Sequence, residues 1–510
     1  MSFSIESLQR HWQLAVLVCT AIVSMITGFF IGRAVFWNND KNQMTSPGHF
    51  QAEQWLKTFT PDTKKLIQHM TTAGPGQGSG YEWMARITDK FGPRLLGSKN
   101  LDDAIDFTVA ELKKQGFHNV HTEPVPNLKH WKRGDEVAEL VSPRNYTMSI
   151  LGLGGTIPTP RNGILAPVVV VRTFDELDQM GTNGQVRGKI VVYNEDWLGT
   201  YTKTVKYRYG GSQAKIHGAV GVLVRSITPL SIYSPHAGLT RFANASVQIP
   251  IAAITVEDAE MLWRMQERGQ QLKIFFKMTS GYQKEPISSR NIVFDLRGMQ
   301  EPDEIFILSA HFDSWDVGEG VMDDMAGCAC MWQAMTSMKA LNMKPKRTIR
   351  TIFWTAEEEG YLGAKAYYEM HKFWRNETIV FVSESDKGAF RPTTTSNASL
   401  LFNGSASGLN IMKQIARLLY SENIPVTAEG IMNPKMLGDP YQWVENDGVP
   451  GMHYIHMEKW LRYYFYFHHT SGDQVTVMKP DDIDYVAAIY GTVAHIIANM
   501  RGETLLRMHR

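Results

Sequence analysis

Residues 305–324 read Ile-Phe-Ile-Leu-Ser-Ala-His-Phe-Asp-Ser-Trp-Asp-Val-Gly-Glu-Gly-Val-Met-Asp-Asp. The first four form a continuous apolar run, the mark of a strand covered on both faces. The run ends in a histidine and a set of acids. Other apolar runs repeat the arrangement. Residues 348–354 lead into Glu357, Glu358 and Glu359, and 379–382 lead into Glu384 and Asp386. Residues 451–455 precede Tyr-Phe-His-His-Thr-Ser-Gly-Asp at 466–473. Between the runs, 326–340, 362–371 and 409–420 read as helices, and 482–501 closes the chain as a long one. This alternation predicts an α/β fold with a mixed, mostly parallel sheet covered by helices.

In such sheets ligands gather beyond the carboxyl ends of the strands. Taken singly, a histidine or acid after a strand is an ordinary cap or turn residue. The coincidence of acids and histidines at four strand ends is what points to a site. Carboxylates with imidazoles suit zinc, and two neighbouring metals require a bridging carboxylate.

The texture outside this region differs. Residues 168–171, 189–193 and 220–224 are short β runs separated by turns, and 249–254 precedes one amphipathic helix over 256–268. They predict a separate β-rich unit with few helices over 160–284. It would divide a larger domain into a first part, 81–159, and a second, 285–510. In the first part, 81–91 and 101–115 read as helices and 120–125 as a strand. Residues 35–80 read as a stalk and helical lead-in, ending in a flexible Gly-rich loop at 74–80.

Segment 1–34 reads as a signal-anchor or signal peptide. Between Arg10 and Arg33 lie 22 residues without formal charge, about 33 Å as a helix, enough for a bilayer core of about 30 Å. A retained anchor over 11–32 is favoured over cleavage. Either outcome sends the chain into the secretory pathway: extracellular, lysosomal, or membrane-anchored with the catalytic domain lumenal. Sequons at Asn145, Asn244, Asn376, Asn397 and Asn403 fit that location as glycosylation candidates.

The whole chain has 510 residues, 43 % hydrophobic and 20 % charged, with a net charge of +1. Disorder is excluded as its main state, and the charge gives no reason to expect nucleic acid as a partner. Three cysteines, Cys19, Cys328 and Cys330, make neither a disulfide framework nor a zinc finger. Cys328 and Cys330 read as core residues.

The strings HFDSWDVGEGVMDD (311–324), WTAEEEGYLGA (354–364), ESDKGAF (384–390) and HHTSGD (468–473) resemble those of the M28 zinc peptidases. FGPRLLGSKN (91–100), KIVVYN (189–194), SIYSPHAG (231–238), ITVEDAEM (254–261) and KPKRTIR (344–350) extend the resemblance over most of the chain beyond residue 80. It implies the zinc exopeptidase fold, with the β-rich unit as an inserted protease-associated domain. It implies two zinc ions per chain, one held by His311 and Asp386, the other by Glu358 and His469, with Asp323 bridging. Glu357 would be the general base acting on a metal-activated water, and Asp313 the acid that orients the His311 imidazole. Small peptides, in particular dipeptides with free termini, would be the substrates, and a homodimer the assembly.

Two positions depart from the family pattern: Ser471, where relatives often carry a further histidine, and Lys387, where a small residue is common. Tyr463, Tyr464 and Tyr466 read as packing aromatics, one of which could reach an oxyanion. Glu359 reads as solvated, and His468 equally as a packing or a pocket residue. The competing function is a catalytically silent receptor or scaffold on the same fold, against which the complete ligand set argues. Glutaminyl cyclisation on a related fold is a third.

Overall fold

Strand Glu301–His311 lies between two parallel neighbours, Arg347–Trp354 and Thr378–Glu384. Its run Ile305–Leu308 is therefore apolar without alternation. Ile305 and Ile307 pack with Ala364, Tyr367 and Trp443 on one face. Phe306 and Leu308, on the other face by the alternation of the strand, are equally buried. Helices Ala326–Ala340 and Pro480–Asn499 pack against this strand and against each other. The computed structural model describes residues 54–500 apart from 375 and 376.

The sheet has eight strands. Beyond Thr378–Glu384 come Gly451–His456, parallel, then Ala398–Asn403, antiparallel, then Thr427–Gly430. On the other side Ile287–Leu296 and His118–Leu128 add antiparallel strands. Four of the seven pairings are parallel, as the apolar runs predicted. Three strands, Ile287–Leu296, Ala398–Asn403 and Thr427–Gly430, go beyond that reading.

A second eight-stranded sheet has the order Tyr146–Met148, Glu136–Ser142, Lys273–Met278, Ile164–Val171, Ile190–Tyr193, Gly221–Arg225, Ile251–Ile254, Ile150–Gly152. Four successive strands, from Ile164–Val171 to Ile251–Ile254, are parallel. Three strands between 136 and 152 thus join this sheet, although 160 was the expected start. The reason is packing: Ala138, Leu140 and Met148 share a core with Ile274 and Phe276. The unit is also more helical than expected, with Phe174–Thr182 and Gly211–Ile216 besides Val256–Glu267.

The chain divides into two compact units, Met1–Lys57 and Thr58–Arg510. Of the first, only helix Gln54–Lys57 is described. The expected anchor over 11–32 lies outside the described residues, as does Asn376. Among the described residues no helix is long and apolar enough to cross a membrane. In the second unit, helix Thr60–Thr71 buries Leu66, Ile67 and Met70 and packs on Pro480–Asn499. The Gly-rich loop is fastened rather than flexible. The Gly78 amide donates to both carboxylate oxygens of Asp484, at 2.9 and 3.0 Å, and Gln333 donates to the Gly76 carbonyl at 2.8 Å.

Asn145, Asn244 and Asn397 are exposed. Asn403 is not a usable glycan acceptor in the folded chain. It ends strand Ala398–Asn403, next to the edge strand of the sheet, is 2 % exposed, and donates from Nδ2 to the Ile431 carbonyl at 2.9 Å.

A buried polar cluster sits beneath strand His118–Leu128. His371 lies 2.9 Å from Glu123 and 3.1 Å from Glu377. Burial pushes Glu123 up, but hydrogen bonds from His121 and His371 outweigh it and hold it at about 2. Glu377 is held at about 2 by His371 and Arg350 against the same opposing burial. Both folded values lie below the ordinary carboxylate value, so this stabilisation is present above about pH 4.5 and lost as pH falls through about 2. His371, raised by the same pairing despite burial, contributes with the opposite sign, being lost as pH rises above its folded value. Glu123→Gln is expected to be less stable at pH 7 and to show a flatter loss of stability between pH 4.5 and 3. Urea midpoints across that range measure it; an unchanged acid slope would assign the acid sensitivity elsewhere.

Candidate metal centre

The parallel strands deliver their side chains to one edge of the first sheet. His311 is the last residue of its strand. Glu357 and Glu358 follow Trp354, and Asp386 follows Glu384 by two residues. After strand Gly451–His456 the chain runs through short helical turns up to Phe467, and then His468 and His469 turn back. Ala356 and His469 both have positive φ, 55° and 62°, uncommon for residues other than glycine. The flanking loops hold both there.

Asp323 stands at the centre. Its Oδ1 lies 3.0 Å from His311 Nε2. Its Oδ2 lies 3.1 Å from His469 Nε2 and 3.4 Å from His468 Nε2. Asp386 Oδ1 is 3.8 Å from His311 Nε2, and Glu358 Oε2 is 3.1 Å from His469 Nε2. Two donor sets therefore converge on one carboxylate. His311, Asp323 and Asp386 form one, and Asp323, His468 and His469 the other, each within reach of a single ion. Glu358 Oε1 is enclosed without a hydrogen-bond partner. An orphaned carboxylate oxygen among imidazoles is the donor chemistry of a zinc site, so these residues fit that metal.

The electrostatics agree. Burial and neighbouring acids push Glu357 well above the usual carboxylate range, against the pull of His311. Burial likewise raises Glu358 and Asp386. For His469, burial is outweighed by Glu358 and Asp323, which lift it to about 9. Without a metal these side chains hold protons for one another, and a divalent cation would release them.

Asp313 is at the site, and it meets the His311 ring through its backbone carbonyl. The His311 Nδ1 lies 2.9 Å from the Asp313 carbonyl and 4.0 Å from its carboxylate. The carboxylate instead accepts from the backbone amides of Glu357 and Glu358, at 3.1 and 3.3 Å. It therefore fixes the loop that carries the expected base and ligand. Glu359, expected to be solvated, has its Oε2 enclosed without a partner.

Two supports escaped the sequence reading although both lie in quoted strings. Asp473 accepts from the amides of Met322 and Asp323, at 2.8 and 3.2 Å, holding the central acid in place. Arg94 donates to the carbonyls of Phe312, Gly92, Glu319 and Gly320, clamping the loop after His311. His468 stands at the site, with Nε2 3.4 Å from the Asp323 carboxylate and its ring stacked on His469 at a centroid distance of 3.5 Å. Tyr463 spends its hydroxyl on the Val477 carbonyl, and the Tyr464 ring packs on His468. Of the two departures, Lys387 sits 3.9 Å from the Asp386 carboxylate, whereas Ser471 is exposed. Cys328 is buried, its thiol donating to the His311 carbonyl at 3.1 Å. A loop between strands Gly221–Arg225 and Ile251–Ile254 also reaches the site: Ala237 donates to the His469 carbonyl at 2.8 Å and accepts from its ring at 3.1 Å.

Residues 291–494 match the model of peptidase family M28. Carboxypeptidase Q of Mus musculus is 40 % identical over 471 residues, covering 92 % of this chain and 95 % of its own. A peptidase M28 precursor from Shewanella amazonensis SB2B superposes with a TM-score of 0.79 at 29 % identity, covering 89 % of this chain and 99 % of its own. A zinc aminopeptidase from Bacillus subtilis shares the fold, with a TM-score of 0.60 at 18 % identity over 82 % of this chain and 95 % of its own.

Proposed function

The chain belongs to peptidase family M28 and is a zinc metallopeptidase, and from that premise we propose that it is a two-zinc exopeptidase cleaving dipeptides with free termini, with Glu357 as general base. The observation that carries the reading is the position of Asp323, with one carboxylate oxygen beside His311 and the other beside His469. His311 and Asp386 would hold one zinc, His469 and Glu358 the other, and Asp323 both. Bound there, zinc would supply Lewis acidity, making water a stronger acid and polarising the scissile carbonyl.

The remaining work falls to the protein. Glu357 is partly exposed, and among the described residues no group hydrogen-bonds its carboxylate. It is free to take the proton of the attacking water and pass it to the leaving amine. Asp313 keeps that carboxylate aimed by holding the Glu357 amide. The second sheet, in this reading the protease-associated unit, walls the site through Ala237.

Turnover of a dipeptide library with and without chelator, alongside zinc content by mass spectrometry, tests the proposal. The expected result is two zincs per chain and hydrolysis that chelator abolishes and zinc restores. A protein that keeps two zincs and cleaves nothing would be the silent scaffold instead. Full activity with one zinc would remove the second metal from the reading.

A further inference from the structure

The parallel strands carry the metal centre at their carboxyl ends. At their amino ends, where Glu301–His311 and Arg347–Trp354 begin, lies a cleft of about 490 Å³, within the range of about 300–1,000 Å³ that small-ligand sites occupy. An eight-residue strand separates the two edges of the sheet, about 23 Å at ~3.3 Å per residue. The cleft is therefore no subsite of the metal centre. It is lined by Lys65 on helix Thr60–Thr71, by Lys344 and Lys346 before strand Arg347–Trp354, and by His495 and Asn499 at the end of helix Pro480–Asn499. Among its described lining residues Asp62 is the one acid.

His495 is the buried member, 7 % exposed. Asn499 Oδ1 accepts from the Lys346 amide at 2.9 Å and its Nδ2 donates to the His495 carbonyl at 2.7 Å, which fixes the orientation of that side chain. The same Nδ2 faces the His495 Nδ1 at 3.4 Å. Nδ1 is therefore the acceptor nitrogen, and the ring proton sits on Nε2. Burial, opposed by Asp62, lowers the His495 pKa, so the neutral ring has that one proton to donate. Yet Nε2 is enclosed without a hydrogen-bond partner. A buried donor left unpaired is costly and rare in folded chains, so an acceptor that the described residues do not supply belongs there.

The lysines set the charge of that acceptor. Among the described residues Lys344 pairs with no carboxylate. Lys65 lies 3.7 Å from Asp62, with both side chains more than half exposed, a contact that contributes little. Lys346 is committed to Glu301 at 2.8 Å, an acid that also serves Arg347. No arginine is among the described lining residues, so the planar fork that matches a carboxylate is missing. Ammonium groups act as compact point charges and suit a compact, multiply charged oxyanion.

We propose that this cleft binds a small ligand through a phosphate or sulfate group, held by Lys344, Lys65 and the His495 Nε2–H. The site stands apart from the peptidase reading and does not depend on it.

The test is calorimetric titration of the full-length zinc-loaded protein with inorganic phosphate, inorganic sulfate and acetate, repeated on protein stripped of zinc. One tetrahedral anion per chain should bind, with or without zinc. Lys344→Glu should weaken that binding about 10–100-fold, the scale of a hydrogen bond to a charged group, and acetate should bind at least about 10-fold more weakly than the tetrahedral anions. His495→Phe keeps a flat ring and removes the donor, so it too should weaken binding, and both variants should keep their zinc. Phosphate bound as tightly as sulfate or tighter assigns the site to a phosphorylated ligand, and the reverse order to a sulfated one. Binding that vanishes with the zinc belongs to the metal centre and overturns the proposal. So does acetate matching the tetrahedral anions, Lys344→Glu binding them as wild type does, or a wild type that binds neither. Lys344 is exposed, so its variant decides the matter even if His495→Phe does not fold.

Discussion

Glu357→Gln is expected to keep its zinc and lose about 10²–10⁴-fold in turnover, the usual worth of general acid–base catalysis. The substitution preserves shape and removes only the capacity to accept a proton. The structure makes it a clean experiment, because among the described residues no group hydrogen-bonds the Glu357 carboxylate. Glu358→Gln is its counterpart one residue away. There Oε2 faces His469 at 3.1 Å and Oε1 has no partner. An amide is a poorer donor to a divalent cation, so this variant should lose much of one zinc and activity with it. Metal content by mass spectrometry, read beside turnover of one dipeptide, separates the two. If Glu357→Gln empties the site while Glu358→Gln stays loaded, the two roles must be exchanged.

The different tasks of these neighbours come from the resemblance to the M28 peptidases; what the sheet makes legible is where they lie. Parallel strands are buried on both faces, so 305–308 and 348–354 stand out as apolar runs, and the polar residues that follow them must lie at one edge. The strand Ile287–Leu296 was hidden for the opposite reason. Its first half carries Ser289, Arg290 and Asn291, which break any apolar pattern. Their partners are distant in sequence: Ser289 with Thr355, Arg290 with Asp106, and Asn291 with Gly363 and the Thr355 amide. Only the folded chain shows that those polar groups are satisfied. The early strands of the second sheet were missed similarly. Residues 136–152 are short and interrupted by Pro143, and the core they share is completed by Ile274 and Phe276 more than 120 residues later.

At the site, residue types were legible and supporting contacts were not. His311, Asp323, Glu358, Asp386 and His469 all converge. The resemblance implies that Asp313 orients the His311 imidazole; its carbonyl meets that ring, while its carboxylate accepts from the amides of Glu357 and Glu358. Spacing along a chain cannot say which way a short side chain turns when two loops lie within reach.

Asp323→Asn should be the most damaging single change at the metal centre. Burial favours the neutral acid here, yet hydrogen bonds from His311 and His469 hold Asp323 ionised, well below its ordinary value. Both donor sets use this one carboxylate. Asparagine removes the negative charge, and it offers one oxygen where two are needed. Loss of a partner outside the ligand set already costs about 10–100-fold in metal affinity, so loss of the shared ligand should exceed about 10²-fold. Zinc content should fall below one per chain in protein purified without added metal, and activity should fall beneath that of Glu357→Gln. Asp324→Asn supplies the contrast. Asp324 accepts through Oδ2 from the His311 amide and through Oδ1 from the Gly327 amide, at 3.3 and 3.2 Å; asparagine keeps one of these contacts and turns its NH2 group against the other N–H, at a cost in stability. That variant should stay zinc-loaded, because its role is to hold backbone rather than metal. Two zincs retained by Asp323→Asn, with Asp324→Asn emptied, would move the shared ligand one residue along the chain and break the symmetry on which the two-metal reading depends.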